Sequence, residues 1–384
     1  MLQFARNLLH HREEMPITFS RPLVVLQSDD WGRVGIRDQE GYDQLCSRGI
    51  RLGASAYDFY SLETAGDLQA LASLLSSHRD AAGNNPRLVM NFCLANLDFP
   101  AMRQKQFREI KLLPLSHGLP GSWSRPGLLD EYRAGIEQSV FYPALHGLTH
   151  FCAPAVEIAL AENGQRAQML RRFWEAETPY IFWRMPWIGY EYCNPDPHLR
   201  FLDPAQQRAL VREACRLFED LFGRKPESAC APGYRSNAGT HRAWVEAGIR
   251  TAQHGTGAGL RRPFLDELGI LHLFRVMDFE PGQRRVEPKN CWHSADACFT
   301  RGIPFIISVH SINFHSSLRD FRTPTLAALD ELLTALESRY PELLYVTDAG
   351  LYPLATAGRM DHAAQLAMPV SSGSSEPNAA RGGA

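Results

Sequence analysis

The chain has 384 residues, 45% of them hydrophobic, with 40 Lys and Arg against 42 Asp and Glu and a formal net charge of −2. This is a globular composition with ample apolar material for a sizeable core, and without a long basic run it excludes a protein that coats nucleic acid. No window approaches the ~18 consecutive apolar residues of a membrane-spanning helix.

Residues 1–20 read as an N-terminal extension. Their apolar stretch is broken at Arg6, and His10, His11, Arg12, Glu13 and Glu14 follow, so a secretory signal is not expected. The eight cysteines (46, 93, 152, 193, 215, 230, 291 and 298) form no C-x-x-C pair, and several lie in apolar runs. They read as reduced, mostly buried thiols of a cytoplasmic protein.

From Arg21 onward, short apolar runs alternate with amphipathic stretches. PLVVLQS at 22–28 is a first buried strand, and Leu68, Leu71, Leu74 and Leu75 have helical spacing. RLVMNFC at 87–93 is a second strand and FYPALHG at 141–147 a third. Val156, Leu160, Met169, Leu170 and Phe173 continue as helix. Asp203 before Pro204 is an N-cap for the helix carrying Leu210, Ala214, Leu217, Phe218 and Leu221. ESACAPG at 227–233, GIRTAQH at 248–254 and ILHLFRV at 270–276 are weaker strands, PFIISVH at 304–310 a strong one. Thr323–Pro324 resembles a second cap, before Leu326, Leu329, Leu332 and Leu333, and LLYVTDA at 343–349 closes the set. The tail at 358–384, ending SSGSSEPNAARGGA, has no periodicity and reads as disordered. Such alternation predicts an α/β fold, a closed or nearly closed (β/α)7-8 barrel over 21–357, with functional residues at the carboxyl ends of its strands.

Four of those ends carry chemistry. The first strand runs into Ser28-Asp29-Asp30-Trp31-Gly32. Alone, this is a polar loop with a helix cap. As a site, one carboxylate holds a cation while its neighbour faces a substrate. The third strand runs into His146-Gly147-Leu148-Thr149-His150, and two His at i and i+4 share one face of a helical turn, a geometry that offers two imidazoles to one metal. Around Cys230 the loop Pro232-Gly233-Tyr234-Arg235 offers an Arg to orient a carboxylate and a Tyr or backbone N–H for an oxyanion. His310 ends the PFIISVH strand, followed by Asn313 and His315 to bind substrate or orient it. Asp348 is either the carboxylate supporting His310 or a helix cap. Together these ends suggest metal-assisted hydrolysis: Asp29 takes a proton from water and His310 protonates the leaving amine. Trp31, Tyr57, Phe59, Tyr60, Trp123, Trp183, Trp187 and Tyr190 are aromatic candidates for a binding face, most densely in YIFWRMPWIGYEY at 180–192.

In order and placement these motifs resemble the polysaccharide deacetylase superfamily, the NodB-homology group of carbohydrate esterase family 4. SDDWG, HGxxH and HSINF are most like a bacterial branch associated with surface-polysaccharide biosynthesis. The resemblance implies a distorted (β/α) barrel and a divalent metal, usually Zn²⁺, on Asp30, His146 and His150. It implies Asp29 as base and His310 as acid. The substrate it implies is an N-acetylated sugar, as a nucleotide- or lipid-linked precursor or a short glycan, with Trp31, Tyr234, Asn313 and Trp187 stacking on or binding its rings. Two departures stand out. The span from Asp30 to His146 is long, pointing to an insertion around 33–120. The third motif lacks its Arg before Pro232, which leaves Arg235 as the substitute and Asp278 as a weak fourth-motif carboxylate. The same fold also hosts hydrolysis of non-sugar amides of allantoin or formamide type, and an inactive carbohydrate-binding protein would fit the departures.

Overall fold

The computed structural model describes residues 16–194, 200–284, 286 and 288–366. The N-terminal part of the expected extension (1–15) and the tail from 367 lie outside the described residues.

Eight parallel strands make up the wall of a strongly curled ten-stranded sheet: β1 (Leu23–Trp31), β2 (Leu88–Cys93), β3 (Phe141–Gly147), β4 (Ser228–Cys230), β5 (Thr251–His254), β6 (Leu271–Phe274), β7 (Met277–Asp278) and β8 (Phe305–His310), with Phe264–Leu265 antiparallel beside β6 and Leu344–Tyr345 parallel beside β1. Their spatial order is β6-β5-β4-β3-β2-β1-β8-β7. Its two ends are one piece of chain. Leu271–Phe274 pairs with β5, and three residues later Met277 pairs with Ile307 of β8. Between them Arg275 N–H donates to His254 C=O (3.0 Å) and Val276 N–H to Ile306 C=O (2.9 Å). A single kinked segment thus completes the ring, giving the distorted barrel that strand–helix alternation predicts.

Strand period sets what fills the ring. Leu23, Val25, Val89, Ala144, Leu271, Leu273 and Ile306 form one apolar cluster inside, sealed by Leu351 and Ala355. Val24, Leu26, Leu88 and Met90 point outward under the helices. Toward the carboxyl ends the interior turns polar: Gln27, Asp29, Asn91, Gln253, Arg275 and Ser308 are all buried. The functional end of the barrel is therefore wired by hydrogen bonds rather than greased.

The outer helices include α1 (Ala65–Ser77), α2 (Ala153–Glu162), α3 (Gln165–Glu175), α4 (Pro204–Phe222), α5 (Ala238–Glu246), α6 (Arg322–Arg339) and α7 (Asp348–Leu366). Asp203 caps α4 as expected, accepting from Ala205 and Gln206 N–H with Pro204 at the first position. Thr323 does not cap α6: that helix starts at Arg322, and Asp320 accepts from Thr323 N–H instead. The long helical pattern after Cys152 is two helices, divided at Asn163, which takes a left-handed conformation. The last helix runs on to Leu366, into the stretch expected to be disordered. The span 33–120, where an insertion is expected, contains α1 and the barrel strand β2. No helix among the described residues is long and apolar enough to cross a membrane, and no disulfide joins any of the eight cysteines.

Candidate active site

A cavity of about 350 Å³ opens at the carboxyl ends of the strands. The backbone first aims the carboxylates. Along a regular strand Asp29 and Asp30 would face opposite sides. Here the β1–β2 register shifts between Ser28 and Trp31, and Asp30 adopts φ +73°, a left-handed conformation that Asp tolerates better than most residues. The bulge turns Asp30 back, so both carboxylates line the cavity with His146, His150 and His310.

Asp29 is clamped. Arg275 pairs with it through both oxygens (2.6 Å each), Asn91 Nδ2 donates at 2.8 Å, and the Cys230 thiol lies 3.8 Å away. Burial alone would raise the acid's pKa, but the guanidinium outweighs it and holds Asp29 far below the usual carboxylate range. Arg275 also donates to Gln27, Ser308 and Gln253 inside the barrel and to the Tyr234 hydroxyl at its mouth.

Asp30 has a different environment. Its Oδ1 is buried and has no hydrogen-bond partner. His150 Nε2 lies 3.3 Å and His146 Nε2 3.6 Å from that oxygen. His146 Nδ1 is 2.8 Å from the Cys230 carbonyl, which only accepts, so Nδ1 carries the proton and Nε2 a lone pair. His150 Nδ1 meets the Tyr180 hydroxyl at 3.1 Å, and burial depresses its pKa to about 3, so that ring is neutral. With the His150 proton on Nδ1, three acceptors converge and no donor separates them. Such a set fits a cation, and two imidazoles with one carboxylate is a common catalytic zinc set. The ligand atoms of Asp30, His146 and His150 lie within 4.8 Å of one another. The loop between the two His is not the helical turn their spacing implied: His146 lies in β3 and His150 in the coil beyond. Glu191 fixes that loop, accepting from Leu148 and Thr149 N–H (2.8 and 2.9 Å). A Cβ on Gly147 would strike the Glu191 carboxylate.

His310 faces Asp29 with Nε2 4.0 Å from Oδ2, while its Nδ1 is 2.6 Å from Glu280 Oε1. Burial opposes the imidazolium, but Glu280 outweighs it and raises the pKa to about 9. Asn313 is buried and donates to Glu280, so it orients His310 through that carboxylate rather than binding substrate.

Several expected roles fall to other residues. Arg235 is exposed, and the ion pair to Asp29 comes from Arg275. Asp348 lies deeper in the barrel between Gln27 and Ser228, and Asp278 accepts from Thr256, so neither supports His310. His315 is buried against Glu63. Trp31 is buried and stacks on Phe314 at 5.8 Å, and Trp187 packs under Arg166; neither reaches the cavity. Tyr234 does, and so do Tyr57, Tyr60, Tyr180, Phe182, Trp183 and Tyr190. Sequence reasoning missed Arg275 and Glu280. Arg275 had a signal: a cation inside the apolar run ILHLFRV is costly unless a carboxylate meets it.

No family model and no curated protein matches the sequence. Solved structures similar in chain course include a provisionally described polysaccharide deacetylase from Mycobacterium smegmatis, 12% identical, with a TM-score of 0.48 over 90% of this chain and 94% of that one. They include the allantoinase PuuE, 13% identical, TM-score 0.45, covering 88% and 91%. A family 4 carbohydrate esterase from Streptomyces lividans, in complex with acetate, is 13% identical, TM-score 0.34, covering 85% and 91%. At these scores function has to be read from the residues of the site.

Proposed function

We propose that this chain is a metal-dependent hydrolase of the polysaccharide deacetylase type, which removes the acetyl group from an N-acetylated sugar. The observation that carries the reading is the partnerless Asp30 Oδ1 facing His146 and His150, beside one carboxylate held ionised by Arg275 and one imidazole held protonated by Glu280. Asp30, His146 and His150 would hold the ion. Bound there, a divalent ion such as Zn²⁺ supplies Lewis acidity to an amide carbonyl and lowers the pKa of water. Asp29, ionised at every working pH, accepts the proton of the attacking water. His310 gives its Nε2 proton to the departing amine, and Glu280 restrains the imidazolium from Nδ1. Tyr234, held by Arg275, presents its ring at the mouth.

The cavity walls favour a sugar. Tyr57, Tyr60, Tyr180 and Tyr190 offer rings with hydroxyl ends, and Trp183 is half exposed at the rim, fixed by its indole N–H to Asp58 (3.2 Å) and by Arg184 over its face. A volume of about 350 Å³ suits one sugar residue, free or at the end of a carrier. A small non-sugar amide would also enter, so the substrate panel must contain both.

The test is acetate release from N-acetylhexosamines and linear amides by the Zn²⁺-loaded protein, beside Asp29→Asn. Turnover on N-acetylhexosamines, falling roughly 10²–10⁴-fold in the variant with metal retained, is expected. Equal turnover by wild type and variant would remove Asp29 as base. Turnover confined to linear amides would change the substrate class.

A further inference from the structure

The deacetylase reading leaves a second histidine-rich corner unused. On β6, Leu271 and Leu273 face into the barrel, so His272 faces out. There it meets His254 at the end of β5, His241 on α5, and Asp266 in the turn preceding β6. One ligand atom from each of His241, Asp266 and His272 lies within 4.8 Å of the others.

The corner is built. Asp266 Oδ1 accepts from Leu268 and Ile270 N–H (2.9 Å each), which leaves Oδ2 aimed at His272 Nε2, 3.1 Å away. Phe264 stacks on the His272 ring at 4.5 Å, and Phe274 stacks on His254 at 5.0 Å, fixing both ring planes. His272 Nδ1 lies 2.8 Å from His254 Nε2. Two tautomers satisfy that contact. If His254 donates, His272 carries its proton on Nε2 and gives it to Asp266, a closed relay. If His272 donates from Nδ1, its Nε2 faces the Asp266 carboxylate, and the contact is closed either by a second proton, as an imidazolium–carboxylate pair, or by a cation between them. The second form is the usual state of a metal-bound imidazole, whose other N–H is held by an acceptor.

We propose that His241, Asp266 and His272 bind a second divalent cation of the Zn²⁺, Ni²⁺ or Co²⁺ class, with His254 as the acceptor that sets the His272 tautomer. The ion ties α5 and the turn at Asp266 to β6, the strand that leads directly into Arg275. Its role is to fix that side of the barrel, outside the catalytic cavity.

The experiment is Zn²⁺ titration of the metal-stripped full-length chain, with bound metal counted by mass spectrometry after gel filtration. Wild type should take two equivalents. His146→Ala/His150→Ala and His241→Ala/His272→Ala should each take one. Asp266→Asn keeps the shape and an acceptor for the turn, and should weaken one equivalent by about 10-fold or more without unfolding. One equivalent in wild type and none in His146→Ala/His150→Ala would overturn the second site and leave the relay. One equivalent that survives His146→Ala/His150→Ala but not Asp266→Asn would support the corner site while overturning the catalytic one. Two equivalents bound unchanged by Asp266→Asn would overturn the ligand set.

Discussion

Two clusters of two imidazoles and a carboxylate stand on opposite faces of one barrel wall. At the mouth, Asp30 Oδ1 has no donor, and the Nδ1 atoms of His146 and His150 are engaged by a carbonyl and a hydroxyl. At the outer corner, the contacts of His272 with His254 and Asp266 can be closed by protons alone. The mouth is also set in charge: an Arg–Asp pair and an imidazolium–Glu pair flank it. The corner is set in stacked rings. The same residue types thus make a reactive centre in one place and a quiet one in the other. Their neighbours decide which, and one stretch of chain serves both, with His272 on β6 turned outward and Arg275 just beyond that strand turned inward.

Removing Arg275 should have the largest effect. It is fully buried, and its loss leaves the Asp29 carboxylate buried without a counter-charge. Arg275→Met should destabilise the fold by about 3–5 kcal/mol in urea denaturation. Adding Asp29→Asn should restore most of that, because the stranded charge goes with it. A single variant within about 1 kcal/mol of wild type would mean that solvent reaches Asp29, and the clamp would lose its meaning.

The contrast between these regions also separates what the sequence discloses from what it hides. The strands show as apolar runs, and the Asp, His and His310 positions follow from the rule that sites lie at strand ends. Asp29, Asp30, His146, His150 and His310 do line one cavity. The supporting residues were hidden because they belong to other strands: Arg275 reaches Asp29 across 246 positions of sequence. Glu280 lies past β7, a strand of two residues too short to leave a pattern. Trp31 is a candidate for its ring beside the Asp-Asp pair, but it is buried in the core against Phe314. Trp187 misled because a run dense in aromatics does not say which ring faces the cavity; Trp183 does.

Tyr180 tests how far the mouth depends on its supports. Its oxygen accepts from Arg33 (3.2 Å) and meets His150 Nδ1 at 3.1 Å. Tyr180→Phe removes that acceptor while keeping the ring. Zn²⁺ affinity of the mouth should fall about 10–100-fold, as for other partners behind a metal ligand. The corner, which shares no residue with Tyr180, should be unchanged. A variant with full affinity would mean His150 holds its orientation by packing alone.

The smallest effect expected near neutrality is that of Glu280→Gln, and it discriminates by pH. His310 acts as an acid, so activity is present while the ring is protonated and is lost as pH rises through its pKa. Against burial, which lowers it, Glu280 together with Asp29 and Asp30 raises that pKa from 6.5 to about 9, so the wild-type basic limb should fall near pH 9. Glutamine keeps a hydrogen bond to Nδ1 but removes the negative charge. Burial, which favours the neutral ring, then acts with less opposition, and the limb should move down toward 6.5. At pH values below the variant's lowered limb both proteins carry the imidazolium and their rates should converge. At pH 8 wild type should keep most of its kcat/KM and the variant should lose most of it. A basic limb that stays near pH 9 in Glu280→Gln would assign it to another group and remove His310 as the acid.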